Sequence, residues 1–135
     1  MKRIIITCLM AVGVWLTAQA VNTVTLTSVQ GRPGDEVEIA VNLSNNDEVT
    51  AFEIQVPLGE VLSYVDGSVI LNAERSDGHS ITAVEKDNKL KIVIYGVSLN
   101  ALKGSDGEVC RFKLKLGKEP ADYALVPEVV MSSPT

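Results

Sequence analysis

The sequence predicts an all-β domain of short strands arranged as a sandwich or barrel. From residue 23 onward, segments rich in Val, Ile, Leu and Thr are separated every eight to twelve residues or so by clusters of Gly, Asn, Asp or Pro. Within those segments apolar and polar residues alternate, the period of a strand with one face in a core and one in water. Nowhere does an apolar 3.6-residue repeat run long enough for a substantial helix.

The first twenty residues follow a different rule. Met1-Lys2-Arg3 is charged, residues 4–16 are apolar apart from Thr7, Cys8 and Gly13, and the stretch closes on small residues in Ala18-Gln19-Ala20. A basic start, a short apolar run and an Ala-x-Ala end are what the export machinery and its peptidase read, and the run is too short to span a bilayer comfortably. Cys8 lies inside the apolar run, which argues against a lipoprotein. The expected division is therefore a signal peptide over 1–20 and one domain over 21–135, placed outside the cytoplasm: secreted, periplasmic or at the cell surface. Residues 132–135 carry no legible tail, anchor or sorting signal, and the sequence leaves open whether the chain continues beyond Thr135.

Loss of Lys2 and Arg3 would take the formal net charge from −5 to −7. Phosphate repulsion by such a surface excludes nucleic acid as the natural partner. Cys8 leaves with the leader, so Cys110 has no intramolecular partner, and its phase with Phe112, Leu114 and Leu116 reads as a small buried hydrophobe.

In chain order, the first strand is expected over 23–30, ending in Gly31-Arg32-Pro33-Gly34-Asp35. There Pro fixes φ and Gly supplies a positive φ for a tight turn. Residues 36–44 alternate, with Val37, Ile39, Val41 and Leu43 inward. Over 49–58 the inward set is Phe52, Ile54, Val56 and Leu58, the outward pair is Glu53 and Gln55, and Pro57 ends regular pairing. Residues 59–78 read as short strands and loops. Strands over 80–86 and 89–97 are joined by Asp87-Asn88, which suits a two-residue type I′ turn. That turn sets the register: Lys86 opposite Lys89, Val84 opposite Lys91, Thr82 opposite Val93 and Ser80 opposite Tyr95 on one face. Ile81, Ala83, Leu90, Ile92 and Ile94 lie on the other. Strands over 108–116, with Arg111, Lys113 and Lys115 outward, and over 123–131 complete the chain.

Catalytic constellations are missing. His79, the single histidine, sits beside Asp77-Gly78 with no serine or cysteine motif around it, and no GxSxG, HExxH or phosphate-cradling Gly loop occurs. Glu53 and Glu74 are the carboxylates most suggestive of a glycosidase pair, and sequence does not place them relative to one another. Asp66-Gly67, Asp77-Gly78 and Asp106-Gly107 lack the alternating ligands of a calcium loop and read as turns. The expectation is a non-enzymatic domain with no cofactor and no metal.

Three stretches resemble the cohesin domain family, the modules that bind dockerins in extracellular assemblies. They are SVQGRPGDEVEIAVNLSNN, similar to the family's opening hairpin, VTAFEIQVPLG, similar to its third strand, and GSDGEVCRFKLKLG, similar to its late Gly-led strand. One departure stands out: Val56-Pro57-Leu58-Gly59 replaces a YDP-like turn after the third strand, which resembles divergent cohesin-like domains whose partners need not be dockerins. The resemblance implies a two-sheet jelly roll of about nine strands that binds its partner on the outer face of the sheet holding strands three, five, six and eight. Carried over strand by strand, it selects Glu53 and Gln55, Thr82 and Val84, Lys91, Val93 and Tyr95, and Arg111 and Lys113 from residues 108–116.

Val84, Val93 and Tyr95 are apolar on a face otherwise expected to be polar, the composition of a recognition patch. A dockerin or dockerin-like protein is the expected partner. The competing readings are a polysaccharide ligand stacked on Tyr64 and Tyr95, and an architectural spacer domain. N-terminal sequencing of protein recovered from the native host is expected to begin at Val21; an intact Met1 would overturn the leader assignment.

Overall fold

In the computed structural model the described residues are 4–8, 11–13, 22–119 and 122–132, with side chains described over 22–119 and 123–131. They form thirteen strands and no helix: β1 (Ile4–Cys8), β2 (Ala11–Gly13), β3 (Asn22–Leu26), β4 (Val29–Gly31), β5 (Glu36–Ser44), β6 (Ala51–Pro57), β7 (Leu62–Tyr64), β8 (Ile70–Leu71), β9 (His79–Lys86), β10 (Lys89–Gly96), β11 (Glu108–Leu116), β12 (Asp122–Leu125) and β13 (Glu128–Ser132). One sheet has the order β13-β6-β10-β9 and the facing sheet the order β2-β3-β5-β11-β7, with β8 also on β11; a small third sheet runs β12-β1-β4. This is the two-sheet jelly-roll sandwich expected from the sequence.

Alternation builds the core. From β5 come Ile39, Val41 and Leu43, from β6 Phe52, Ile54 and Val56, from β10 Leu90, Ile92 and Ile94, and from β11 Cys110, Phe112 and Leu114, all essentially inaccessible to water. Each such side chain contributes on the order of 1.5–3 kcal/mol by leaving water, so a strand with this pattern has one stable orientation. The Asp87-Asn88 turn has φ of 54° and 60°, and β9 and β10 pair as expected: Lys86 with Lys89, Val84 with Lys91, Thr82 with Val93 and Ser80 with Tyr95.

The strand count exceeds nine because two expected strands are broken. At Thr27 the side-chain Oγ1 accepts the Ala40 N–H at 2.9 Å while the Thr27 N–H donates to the Ala40 carbonyl, so a hydroxyl stands in for a ladder carbonyl and separates β3 from β4. At the other end Pro127, which has no N–H to give, separates β12 from β13. In β11 the register shifts between Glu108 and Cys110; Val109 and Cys110 are consequently both buried.

Residues read as the leader also contribute strands. β1 pairs in parallel with β12 and antiparallel with β4, and β2 lies antiparallel on the edge of β3.

Sequence reasoning missed Arg75, a buried cation in the segment after β8. Its guanidinium donates to the Leu43 and Gly107 carbonyls, each at 3.0 Å, to Asn45 Oδ1 at 2.7 Å and to the Lys103 carbonyl. Burial pulls its pKa down, partly offset by Asp106. Thus one side chain ties the end of β5 to the loop before β11. Arg75→Ala leaves four oxygens without their donor and is expected to cost on the order of 3 kcal/mol in denaturant unfolding. Arg75→Lys is expected to restore only part of that, because an ammonium cannot reproduce the planar fork.

The Cys110 thiol is pushed up to about 12, chiefly by burial and secondarily by Glu108. In the unfolded chain the thiol ionises first as pH rises, so between roughly pH 9 and 12 the folded state holds the extra proton. Stability from this group is complete below the unfolded pKa and falls through that window, by at most about 1.4 kcal/mol per pH unit. Cys110→Val is expected to remove this part of the alkaline decline, measured as unfolding free energy against pH.

Candidate functional site

The outer face of the β13-β6-β10-β9 sheet follows from register. Crossing the sheet, one row is Val130, Glu53, Val93 and Thr82, and the adjacent row is Glu128, Gln55, Lys91 and Val84. Residues one position along each strand point into the core, so period two places these outward. Seven of the nine residues selected from sequence meet here: Glu53, Gln55, Thr82, Val84, Lys91, Val93 and Tyr95.

Arg111 and Lys113 do not. β11 lies between β5 and β7 in the opposite sheet, and their side chains leave the sandwich on its other side. Arg111 is engaged there with Glu108, through two contacts of 2.8 Å, and with Glu38 at 3.0 Å. Those hydrogen bonds, first of all the one to Glu108, raise its pKa. The strand beside β6 is instead β13, which adds Glu128 and Val130 to the face. Alternation shows which residues of a strand share a side, but the neighbour of β6 is decided by long-range pairing. The signal available was the alternation of Glu128 and Val130 with inward Val129 and Met131 after Pro127.

Val84, Tyr95 and Val130 are 59%, 41% and 60% exposed, well beyond what the inner face of the same strands shows. Val97 and Leu99, just past the end of β10 next to Tyr95, are also exposed. Lys91 Nζ lies 3.2 Å from Glu53 Oε1 with both side chains partly in solvent, a contact worth about 1 kcal/mol or less. Toward the Asp87-Asn88 turn the face dips into a shallow depression lined by Gln55, Val84, Lys86, Asp87, Lys89 and Lys91.

The remaining candidates take structural places. His79 Nδ1 accepts the Asp77 N–H at 2.9 Å, and Nε2 lies 3.0 Å from the Asn100 carbonyl and 3.2 Å from that of Thr50. The ring therefore pins the start of β9 to the segments just before β6 and after β10. Glu74 is exposed in the turn after β8, a strand of the sheet opposite Glu53, so the two carboxylates do not form a pair across one cleft. Tyr64 is buried, its hydroxyl accepting the Val69 N–H at 3.3 Å. The competing reading of a Tyr64–Tyr95 sugar platform is thereby ruled out: one ring is in the core and belongs to the other sheet. Tyr123 donates its hydroxyl to the Pro57 carbonyl at 3.0 Å. Tyr95 is thus the exposed aromatic among the described side chains. Among the described residues no group of three or more His, Cys, Asp or Glu is placed to hold a metal ion.

Against known families, the cohesin domain model matches residues 22–130. The chain belongs to the cohesin domain family. No curated protein is similar enough to count as a match. Among solved structures, the fold resembles a non-cellulosomal cohesin from the hyperthermophilic archaeon Archaeoglobus fulgidus, with 16% identity, 99% of this chain and 80% of that one covered, and a TM-score of 0.60. It also resembles the cohesin CaCohA2 in its complex with the dockerin CaDoc0917, at 17% identity over 77% of this chain and 81% of that one, TM-score 0.61. A third likeness is to the sixth cohesin of scaffoldin B from Acetivibrio cellulolyticus, in complex with a Cel5 dockerin, at 20% identity over 76% and 74% of the chains, TM-score 0.52. At these identities the likeness is one of fold.

Proposed function

We propose that this cohesin domain is a non-catalytic docking module that captures a dockerin through the outer face of β13-β6-β10-β9. The observation that carries the reading is a set of apolar side chains, Val84, Val93, Tyr95 and Val130, spread over the solvent side of a sheet whose other side is already the core. Water-facing Val and Tyr gain nothing for the fold, and covering them with a partner releases the water they order. Tyr95, large and amphipathic with few rotamers to lose, suits the centre of such a contact. Dockerin complexes of solved cohesins support the class of partner. Family membership supports the absence of catalysis.

The module works outside the cytoplasm, in an extracellular or cell-surface assembly, after cleavage behind Ala20. On this reading β1 and β2 belong to the precursor, and processing removes both the strand between β4 and β12 and the one on the edge of β3.

The test is capture by an array of purified dockerin modules. Tyr95→Ala combined with Val93→Asp is expected to abolish capture and to leave the thermal transition nearly unchanged, because neither side chain is part of the core. Undiminished capture would place the interface elsewhere. Saturable binding on a glycan array, lost on Tyr95→Ala, would replace a protein partner with a sugar.

A further inference from the structure

Resting on the docking reading above, we infer that the lysine-lined depression at the β9–β10 turn receives a carboxylate side chain of the docked module and so fixes its orientation on the sheet. Lys86 and Lys89 face each other directly across the hairpin, and Lys91 is two residues further along the same face of β10. Like charges in directly opposed positions destabilise a strand pair, so this arrangement works against the fold. Among the described residues neither Lys86 nor Lys89 has an ion-pair partner; of the three lysines only Lys91 has one, Glu53.

The carboxylates nearby do not remove the excess. Glu85 points away from the face, where its Oε1 accepts the Tyr64 N–H at 2.8 Å. Asp87 is the one acid in the depression, and Glu128 lies at the far side of the sheet, beyond Gln55 and Lys91 in its row. A local surplus of positive charge therefore sits on a chain whose formal net charge is −5. Protection of an open sheet edge explains a lysine on β9. It does not explain Lys89 and Lys91, because β10 is an interior strand paired on both sides.

The face is consequently polar in the directional sense. Lysines cluster around Val84 at the turn end, while Val93 and Tyr95 lie toward the middle and the opposite end, where β10 runs on into the exposed Val97 and Leu99. A docked element with an acidic residue at one end and apolar residues along the rest matches it in one direction only. Reversing that element sets its acid against Tyr95 and leaves the lysines facing apolar groups.

The experiment uses the secreted chain and the dockerin from the array that binds it most tightly. Association and dissociation rates are measured at about 50 and 500 mM NaCl. Lys86→Glu/Lys89→Glu is expected to weaken binding at least about tenfold at low salt, mainly through slower association, with the difference shrinking at high salt. Lys86→Gln/Lys89→Gln, which removes the repulsion within the hairpin, is expected to fold at least as stably as the parent and to give an intermediate loss. Replacing the matching dockerin carboxylate with Lys is expected to restore binding to the Glu/Glu variant. Unchanged rates and salt dependence in both lysine variants, with capture still lost in Tyr95→Ala/Val93→Asp, would overturn the lysine site and leave the docking face standing. Capture that survives Tyr95→Ala/Val93→Asp, or binding to no dockerin in the array, would overturn both.

Discussion

The packing of one sheet's inner side chains against the other's is the constraint from which the rest of the molecule follows. Phe52, Ile54 and Val56 on β6 and Leu90, Ile92 and Ile94 on β10 meet Ile39, Val41 and Leu43 on β5 and Phe112 and Leu114 on β11, all of them dry. With a side-chain period of two, sliding any of these strands by one residue would drive its whole apolar set into water. The outward set is therefore not chosen separately. Once Ile92 and Ile94 are buried, Lys91, Val93 and Tyr95 must face solvent, and the candidate docking face is the geometrical complement of the core.

That face is held by rigid strands rather than by loops, which lowers the conformational entropy to be lost when a partner docks. Its margins are fixed by polar side chains with no direct part in recognition. His79 ties the start of β9 to the carbonyls of Thr50 and Asn100, beside the Tyr95 end. Glu85 secures the far end of β9 to β7 of the other sheet. Arg75 performs the corresponding task for the loop before β11. It supplies to three carbonyls and an amide oxygen the donors that regular pairing would have provided, which satisfies buried polar groups without a metal or a disulfide.

Separation of the two outer faces by charge chemistry completes the picture. On the β11 side Arg111 is saturated by Glu108 and Glu38, a closed cluster with little left to offer a partner. On the β10 side Lys86 and Lys89 have no ion-pair partner among the described residues, and Val84, Val130 and Tyr95 are exposed on the same face. Across the β5–β11 ladder opposite charges stand in register, Lys113 with Glu38 and Lys115 with Glu36, whereas at the β9–β10 turn like charges do, Lys86 with Lys89.

The sequence by itself determined whatever depends on neighbours along the chain: the all-β class, the spans of β5 and β11, the inward set of each long strand, and the register of β9 on β10, because a two-residue turn of Asp and Asn leaves one way to pair. The resemblance to cohesins set Glu53 and Gln55 beside Thr82, Val84, Lys91, Val93 and Tyr95, whose shared side followed from that register. Which strand lies beside β6 did not, since backbone pairing is the same chemistry for any partner and only the packed tertiary structure selects β13 over β11. For the same reason Arg111 and Lys113 moved to the opposite face while Glu128 and Val130 joined this one. Tyr64 entered the core and Arg75 became a buried tie in a segment whose sequence shows only short, broken strands: neither has an alternating run around it to reveal its side, so each one's place depended on contacts made across the sandwich.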